Sequence, residues 1–184
     1  MTHLHEHRPP RAGTGETLLS TKIFDVERRT YALRDGRTIQ RDVVVHPGAV
    51  VIIPVIDDGI VMVHNFRIAA GGELLELPAG TLAPPEPPIQ AAARELEEET
   101  GYVAATIEPF IQFYASPGFC TELMHIFVAR DMELRRQRLE ADEQIRVEIL
   151  PVERARRAVV DGTIRDAKSI AALAAWFLTS DARP

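Results

Sequence analysis

Gly80-Thr81-Leu82-Ala83-Pro84-Pro85-Glu86-Pro87-Pro88-Ile89-Gln90-Ala91-Ala92-Ala93-Arg94-Glu95-Leu96-Glu97-Glu98-Glu99-Thr100-Gly101-Tyr102 is the stretch on which the reading turns. Residues Ile89–Thr100 are mostly good helix formers, and Gly101 suits the left-handed residue that ends a helix. Ile89, Ala92, Ala93 and Leu96 recur at helical spacing and predict one apolar stripe. Glu95, Glu98 and Glu99 fall at i, i+3 and i+4, and are expected on the far side. Like charges at those spacings repel. A hard divalent cation, which prefers carboxylate oxygens, would relieve the repulsion. Arg94 can orient neighbouring carboxylates through its fork of donors. The competing reading is a plain solvated acidic face. Before the helix, residues 78–88 hold Pro78, Gly80, Pro84, Pro85, Pro87 and Pro88, which predicts a stiff loop with no helix.

Upstream, strand-like runs are read at Leu18–Val26, Arg28–Leu33 and Thr38–Val45, with Asp35-Gly36 as a hairpin signal. The apolar run Ala49–Ile56, the turn Asp57-Asp58-Gly59 and the run Ile60–Phe66 predict a buried antiparallel hairpin. Glu73–Leu77 is a further short strand. Downstream come strands at Ile107–Tyr114, Met124–Ala129 and Ile145–Leu150, then helices at Val152–Val160 and Ala167–Leu178. Strands, a helix, more strands and closing helices predict an α+β fold with a mixed β-sheet. Three segments are expected: a disordered tail at 1–17, an N-terminal β arm at 18–46, and the main domain at 47–180.

The chain has 184 residues and a net charge of −6, an acidic balance that argues against nucleic acid as a partner. No run of 18 apolar residues occurs, so no membrane span is expected. The single cysteine, Cys120, excludes an intrachain disulfide and fits a reducing, cytoplasmic compartment. Its neighbours supply no base, so it reads as a small apolar side chain rather than a nucleophile. The alternating His3, His5 and His7 read as part of a solvated tail.

From Gly80, five residues lead to Glu86, seven more to Arg94, and Glu95-Leu96-Glu97-Glu98-Glu99-Thr100-Gly101-Tyr102 follows. This resembles the Nudix box, Gly-x5-Glu-x7-Arg-Glu-U-x-Glu-Glu-x-Gly-U with U apolar, at every position. The resemblance implies an α/β/α sandwich in which the loop and helix lie against a mixed sheet. It also implies hydrolysis of a diphosphate linked to another moiety, with Mg²⁺ (Mn²⁺ as a possible substitute). The metal ligands it implies are Glu95, Glu98 and Glu99 with the backbone carbonyl of Ala79, and Arg94 beside them.

Outside the box, Ser116-Pro117-Gly118, Asn65-Phe66-Arg67, Leu75-Glu76-Leu77-Pro78-Ala79-Gly80 and Ala141-Asp142-Glu143-Gln144-Ile145 are similar to ADP-ribose pyrophosphatases of that family. The resemblance covers about residues 20–178. It implies that Arg67 touches substrate phosphate, with a surface ion pair to Glu73 or Glu76 as the alternative. Glu76 is expected near the metals or the terminal ribose, Pro117 over that ribose, and Arg41 of the arm among the substrate-binding residues. The general base is expected from the loop holding Glu140 and Glu143, with Glu143 preferred and Glu98 as the fallback. Pro85 stands where the family often has glycine, and Asn65 where it has glutamine. The implied substrate is ADP-ribose, cleaved to AMP and ribose 5-phosphate. The alternatives are another nucleoside diphosphate sugar such as GDP-mannose, or a non-catalytic nucleotide-sensing module. Resemblance further implies a homodimer in which the N-terminal strands reach the partner.

Overall fold

The computed structural model describes residues 15–139 and 144–180. The chain divides into two compact units, one formed by the chain up to His46 with Ser116–Thr121, the other by Pro47–Ala115 and the chain from Glu122 onward.

In the first unit, β1 (Gly15–Ser20), β2 (Asp25–Ala32) and β3 (Thr38–Val45) form an antiparallel sheet in that order. Leu18–Val26 is therefore two strands rather than one. Thr21 makes the break: its Oγ1 accepts from the Ile23 and Phe24 amides at 3.2 and 3.0 Å and donates to the Phe24 carbonyl at 2.7 Å. Arg28 and Asp42 face each other across β2 and β3 in a two-pronged pair at 2.8 and 3.0 Å. β1 begins at Gly15, inside the segment expected as tail. Ser116–Thr121, assigned by sequence to the main domain, runs along β3 instead. The Val44 amide donates to the Phe119 carbonyl at 2.8 Å and the Thr121 amide to the Val44 carbonyl at 2.9 Å.

The second unit is built on a seven-stranded mixed sheet. Its strands are β4 (Ala49–Ile56), β5 (Gly59–Arg67), β6 (Gly72–Glu76), β7 (Ala79–Thr81), β8 (Tyr102–Tyr114), β9 (Leu123–Leu134) and β10 (Ile145–Pro151). β4 and β9 run parallel and the other pairs are antiparallel. Helix α1 (Pro88–Thr100) covers one face, while α2 (Val152–Asp161) and α3 (Ala167–Ser180) cover the other.

β4 explains why both faces are covered. Val50, Val51, Ile52 and Ile53 are fully buried, with Val50 and Ile52 packed on the α1 side and Val51 and Ile53 on the α2 and α3 side. Fully burying such a side chain is worth about 1.5–3 kcal/mol, so the apolar run needs helices on both sides. The expected hairpin with β5 pairs only next to its turn, at Val55 with Ile60 and Ile56 with Gly59. Beyond that point β4 turns to β7 and β9, and β5 to β6 and β10.

The proline-rich segment also departs from expectation. It contains β7, and α1 starts at Pro88, since the first helical position needs no amide donor. At the other end Gly101 takes φ 77° and its amide donates to the Glu97 carbonyl at 2.9 Å. A Cβ there would stand 2.9 Å from the Gln137 amide nitrogen, so conformation and space both require glycine.

Candidate active site

The buried face of α1 is not the stripe that periodicity predicts. Ile89 and Ala93 are exposed, while Ala91, Ala92, Glu95, Leu96, Glu99 and Thr100 are buried. Glu95 and Glu99 thus point inward, at 9% and 3% exposure. Buried carboxylates must be partnered. Arg94 Nη1 donates to Glu95 at 2.8 Å and to Glu98 at 2.9 Å, and its other donors hold Glu86 at 3.1 and 3.0 Å. The Arg94 guanidinium, hydrogen-bonded to Glu86 and then flanked by Glu95 and Glu98, is held charged well above its ordinary range. The same contact with Arg94 lowers the pKa of Glu86. On the other side of the helix face, the Ala79 amide donates to Glu99 Oε2 at 2.9 Å.

Gly80 completes the close packing. A Cβ on it would lie 1.9 Å from both Cδ and Oε1 of Glu95, so only glycine leaves room for the Glu95 carboxylate where it now lies. The structure brings Ala79, Gly80, Glu86, Arg94, Glu95, Glu98 and Glu99 into one cluster. Among the described residues, no three acidic, histidine or cysteine side chains already converge in coordination geometry. The donor set is nevertheless all hard oxygen on a packed helix, with a backbone segment fixed against it, and this chemistry fits Mg²⁺ or a similar divalent ion.

A second group adjoins this cluster. Glu76, 1% exposed, ends β6 and accepts both prongs of Arg67 at 2.8 and 2.7 Å. Arg67 therefore pairs with Glu76 rather than Glu73. Hydrogen bonding to Glu76 is the main cause that raises its pKa, and the charges of Glu99 and Asp166 contribute as well. Lys168 from α3 also bonds Glu76, and its Nζ lies 2.9 Å from Asp166. Sequence reading missed Lys168, Asp166 and Ser169. Asp166 was legible as a helix N-cap, but the contact of Lys168 with Glu76 spans 92 residues and leaves no local signal.

Two other expected site residues lie in the first unit. Arg41 on β3 donates to the Gln40 carbonyl at 2.8 Å, and Pro117 lies in the turn that follows Ser116. Glu140 and Glu143 lie outside the described residues. Just before them, Arg138 pairs with Glu97 at 2.9 Å and Gln137 Nε2 donates to the Glu99 carbonyl at 2.6 Å. A cavity of about 530 Å³ opens on the opposite sheet face, lined by His64, Glu73, Glu148, Arg154 and Arg157. It shares no residue with the carboxylate cluster, and His64 bridges Glu148 at 2.7 Å and Glu73 at 3.0 Å within it.

A family profile described as the NUDIX domain matches residues 45–173, and the chain belongs to the Nudix family of pyrophosphohydrolases. It is similar to an ADP-ribose pyrophosphatase of Bacillus subtilis (strain 168), 38% identical over 86% of this chain and 87% of that protein. It is also similar to a methanol dehydrogenase activator of Bacillus methanolicus, 34% identical over 86% and 87%. A GDP-mannose pyrophosphatase of Shigella flexneri is 31% identical over 84% and 88%. A crystal structure of an ADP compounds hydrolase shares the fold, with a TM-score of 0.80 at 22% identity over 96% of this chain and 98% of that one. None of the helices of the described residues is long and apolar enough to cross a membrane.

Proposed function

We propose that this Nudix enzyme hydrolyses ADP-ribose to AMP and ribose 5-phosphate with Mg²⁺, in the reducing cytoplasm. The observation that carries the reading is the carboxylate cluster on α1. Glu95 lies against Gly80, Glu99 accepts from the Ala79 amide, Glu98 is held by Arg94, and Arg67 feels the charge of Glu99. A divalent cation held by Glu95, Glu98, Glu99 and the Ala79 carbonyl would neutralise the diphosphate and acidify a water. Arg94 keeps Glu95 and Glu98 aligned. Arg67 is oriented by Glu76 so that its outer edge can meet a phosphate oxygen. Glu143, or Glu140 beside it, takes the proton from the water. That water's oxygen adds to one phosphorus, and the bridging oxygen leaves with the other phosphate. Arg41 and Pro117 are assigned to substrate binding, and residues 18–46 to dimerisation.

The second reading is GDP-mannose hydrolysis, favoured by the pyrophosphatase relative of that name. A non-catalytic module is disfavoured, because every box carboxylate is present. Phosphate released from the products by an added phosphatase, measured across a panel of nucleoside diphosphate sugars with and without Mg²⁺, separates the readings. The largest kcat/KM on ADP-ribose is expected. Preference for GDP-mannose selects the second reading, and no turnover of any sugar overturns both.

A further inference from the structure

We infer that Asp166, the residue that caps α3, and Ser169, in its first turn, are positioning residues that set the backbone of the β6–β7 connection against the carboxylates of α1. The inference rests on the metal-dependent reading above. The connection is only Leu77 and Pro78, Ala79 opens β7, and each of the three is tied to a different element. The Leu77 amide donates to Ser169 Oγ of α3 at 2.7 Å. The Pro78 carbonyl accepts from the Ile52 amide of β4 at 2.9 Å. The Ala79 amide donates to Glu99 of α1 at 2.9 Å.

The Ser169 link is fixed in direction. A serine hydroxyl has one proton, and Ser169 gives it to Asp166 Oδ2 at 2.6 Å. The oxygen is then left to accept from Leu77. Ser169 is fully buried, so water cannot replace it. Asp166 Oδ2 also accepts from the Ser169 amide at 3.0 Å, as an N-cap does, and lies 2.9 Å from Lys168 Nζ. Lys168 in turn holds Glu76. One helical turn thus fixes both the Glu76 side chain and the backbone leading to Ala79. Gly80 follows at once, packed on Glu95 with no room for a Cβ. A small drift of this connection therefore displaces the Ala79 carbonyl and the Glu95 carboxylate together. Without the Ser169 hydroxyl the Leu77 amide is buried with no partner, and the connection must shift to find one.

A capping residue that merely stabilised α3 would change the melting temperature but not the metal affinity. The test is a Mn²⁺ titration of the whole chain, reading free Mn²⁺ by electron paramagnetic resonance, alongside kcat and KM. Ser169→Ala is expected to weaken Mn²⁺ binding and lower kcat by about 10- to 100-fold, with KM little changed. Ser169→Thr, which keeps the hydroxyl, is expected to restore both. A folded Ser169→Ala protein with wild-type Mn²⁺ affinity and kcat would overturn the inference, as would a wild-type chain that binds no Mn²⁺. Should Ser169→Ala not fold, Ser169→Cys keeps the size with a weaker acceptor. Reduced affinity in that variant supports the inference and wild-type affinity overturns it. If the wild type binds Mn²⁺ but cleaves no nucleotide sugar, the hydrolase reading fails and the Mn²⁺ comparison still decides this one.

Discussion

Gly80 and Glu95 approach so closely that a Cβ on Gly80 would stand 1.9 Å from the Glu95 carboxyl carbon. The atom in the way is the end of a flexible side chain, so Gly80→Ala is relieved by moving the carboxylate rather than by unfolding. We expect a folded protein whose activity falls about 10- to 100-fold and whose Mg²⁺ requirement rises. Circular dichroism and a Mg²⁺ titration of activity check this. Unchanged activity would remove Glu95 from the metal site.

Glu98→Gln and Glu99→Gln should each lower kcat by about 100-fold or more, since a lost metal ligand removes several kcal/mol of charge stabilisation. Glutamine keeps an oxygen that can still accept from the Ala79 amide, so the Glu99 variant tests the charge and not the packing. Near wild-type turnover of both variants at saturating Mg²⁺ would refute the site.

Glu143→Gln should lower kcat by about 10²–10⁴-fold, the usual share of a general base, and leave the Mg²⁺ dependence as it is. Glu140→Gln is the control. A large loss at Glu140 and none at Glu143 transfers the role to Glu140. Small effects at both transfer it to Glu98.

Burial lowers the pKa of His125 below its ordinary 6.5, and its Nδ1 lies 2.9 Å from Gln112 Nε2. The folded chain therefore resists a proton that the unfolded chain accepts, and the unfolded state gains protons first as pH falls. Stability should drop as pH falls below about 6.5 and level off once the folded-state pKa is passed. Melting temperatures from pH 7.5 to 5 should fall less steeply for His125→Gln. Identical slopes would mean that His125 does not contribute.

For residues 18–46, the proposed dimer predicts sedimentation as a dimer at micromolar concentration and as a monomer once the segment is deleted. A full-length monomer at that concentration would end the proposal.

The sequence by itself determined the helix, its terminating glycine and the set of acidic side chains. Helix propensity, a left-handed glycine and i, i+3, i+4 spacing all act over a few residues, and all are written in Ile89–Gly101. The strands of the sheet other than β7 were legible for the same reason, as in the apolar run of β4. Tertiary structure alone decided which face of α1 is buried. Periodicity assigns apolar residues to the interior, yet Ile89 and Ala93 are exposed while Glu95 and Glu99 are buried. Arg94 and the Ala79 amide are their partners, and the Ala79 amide comes from another element. It also decided where β4 changes partners, which depends on strands far along the chain. The Glu76, Arg67 and Lys168 group, and the Ser169 tether to Leu77, join residues up to 92 positions apart. Such contacts depend on how the sheet and helices stack, and no spacing along the chain encodes them.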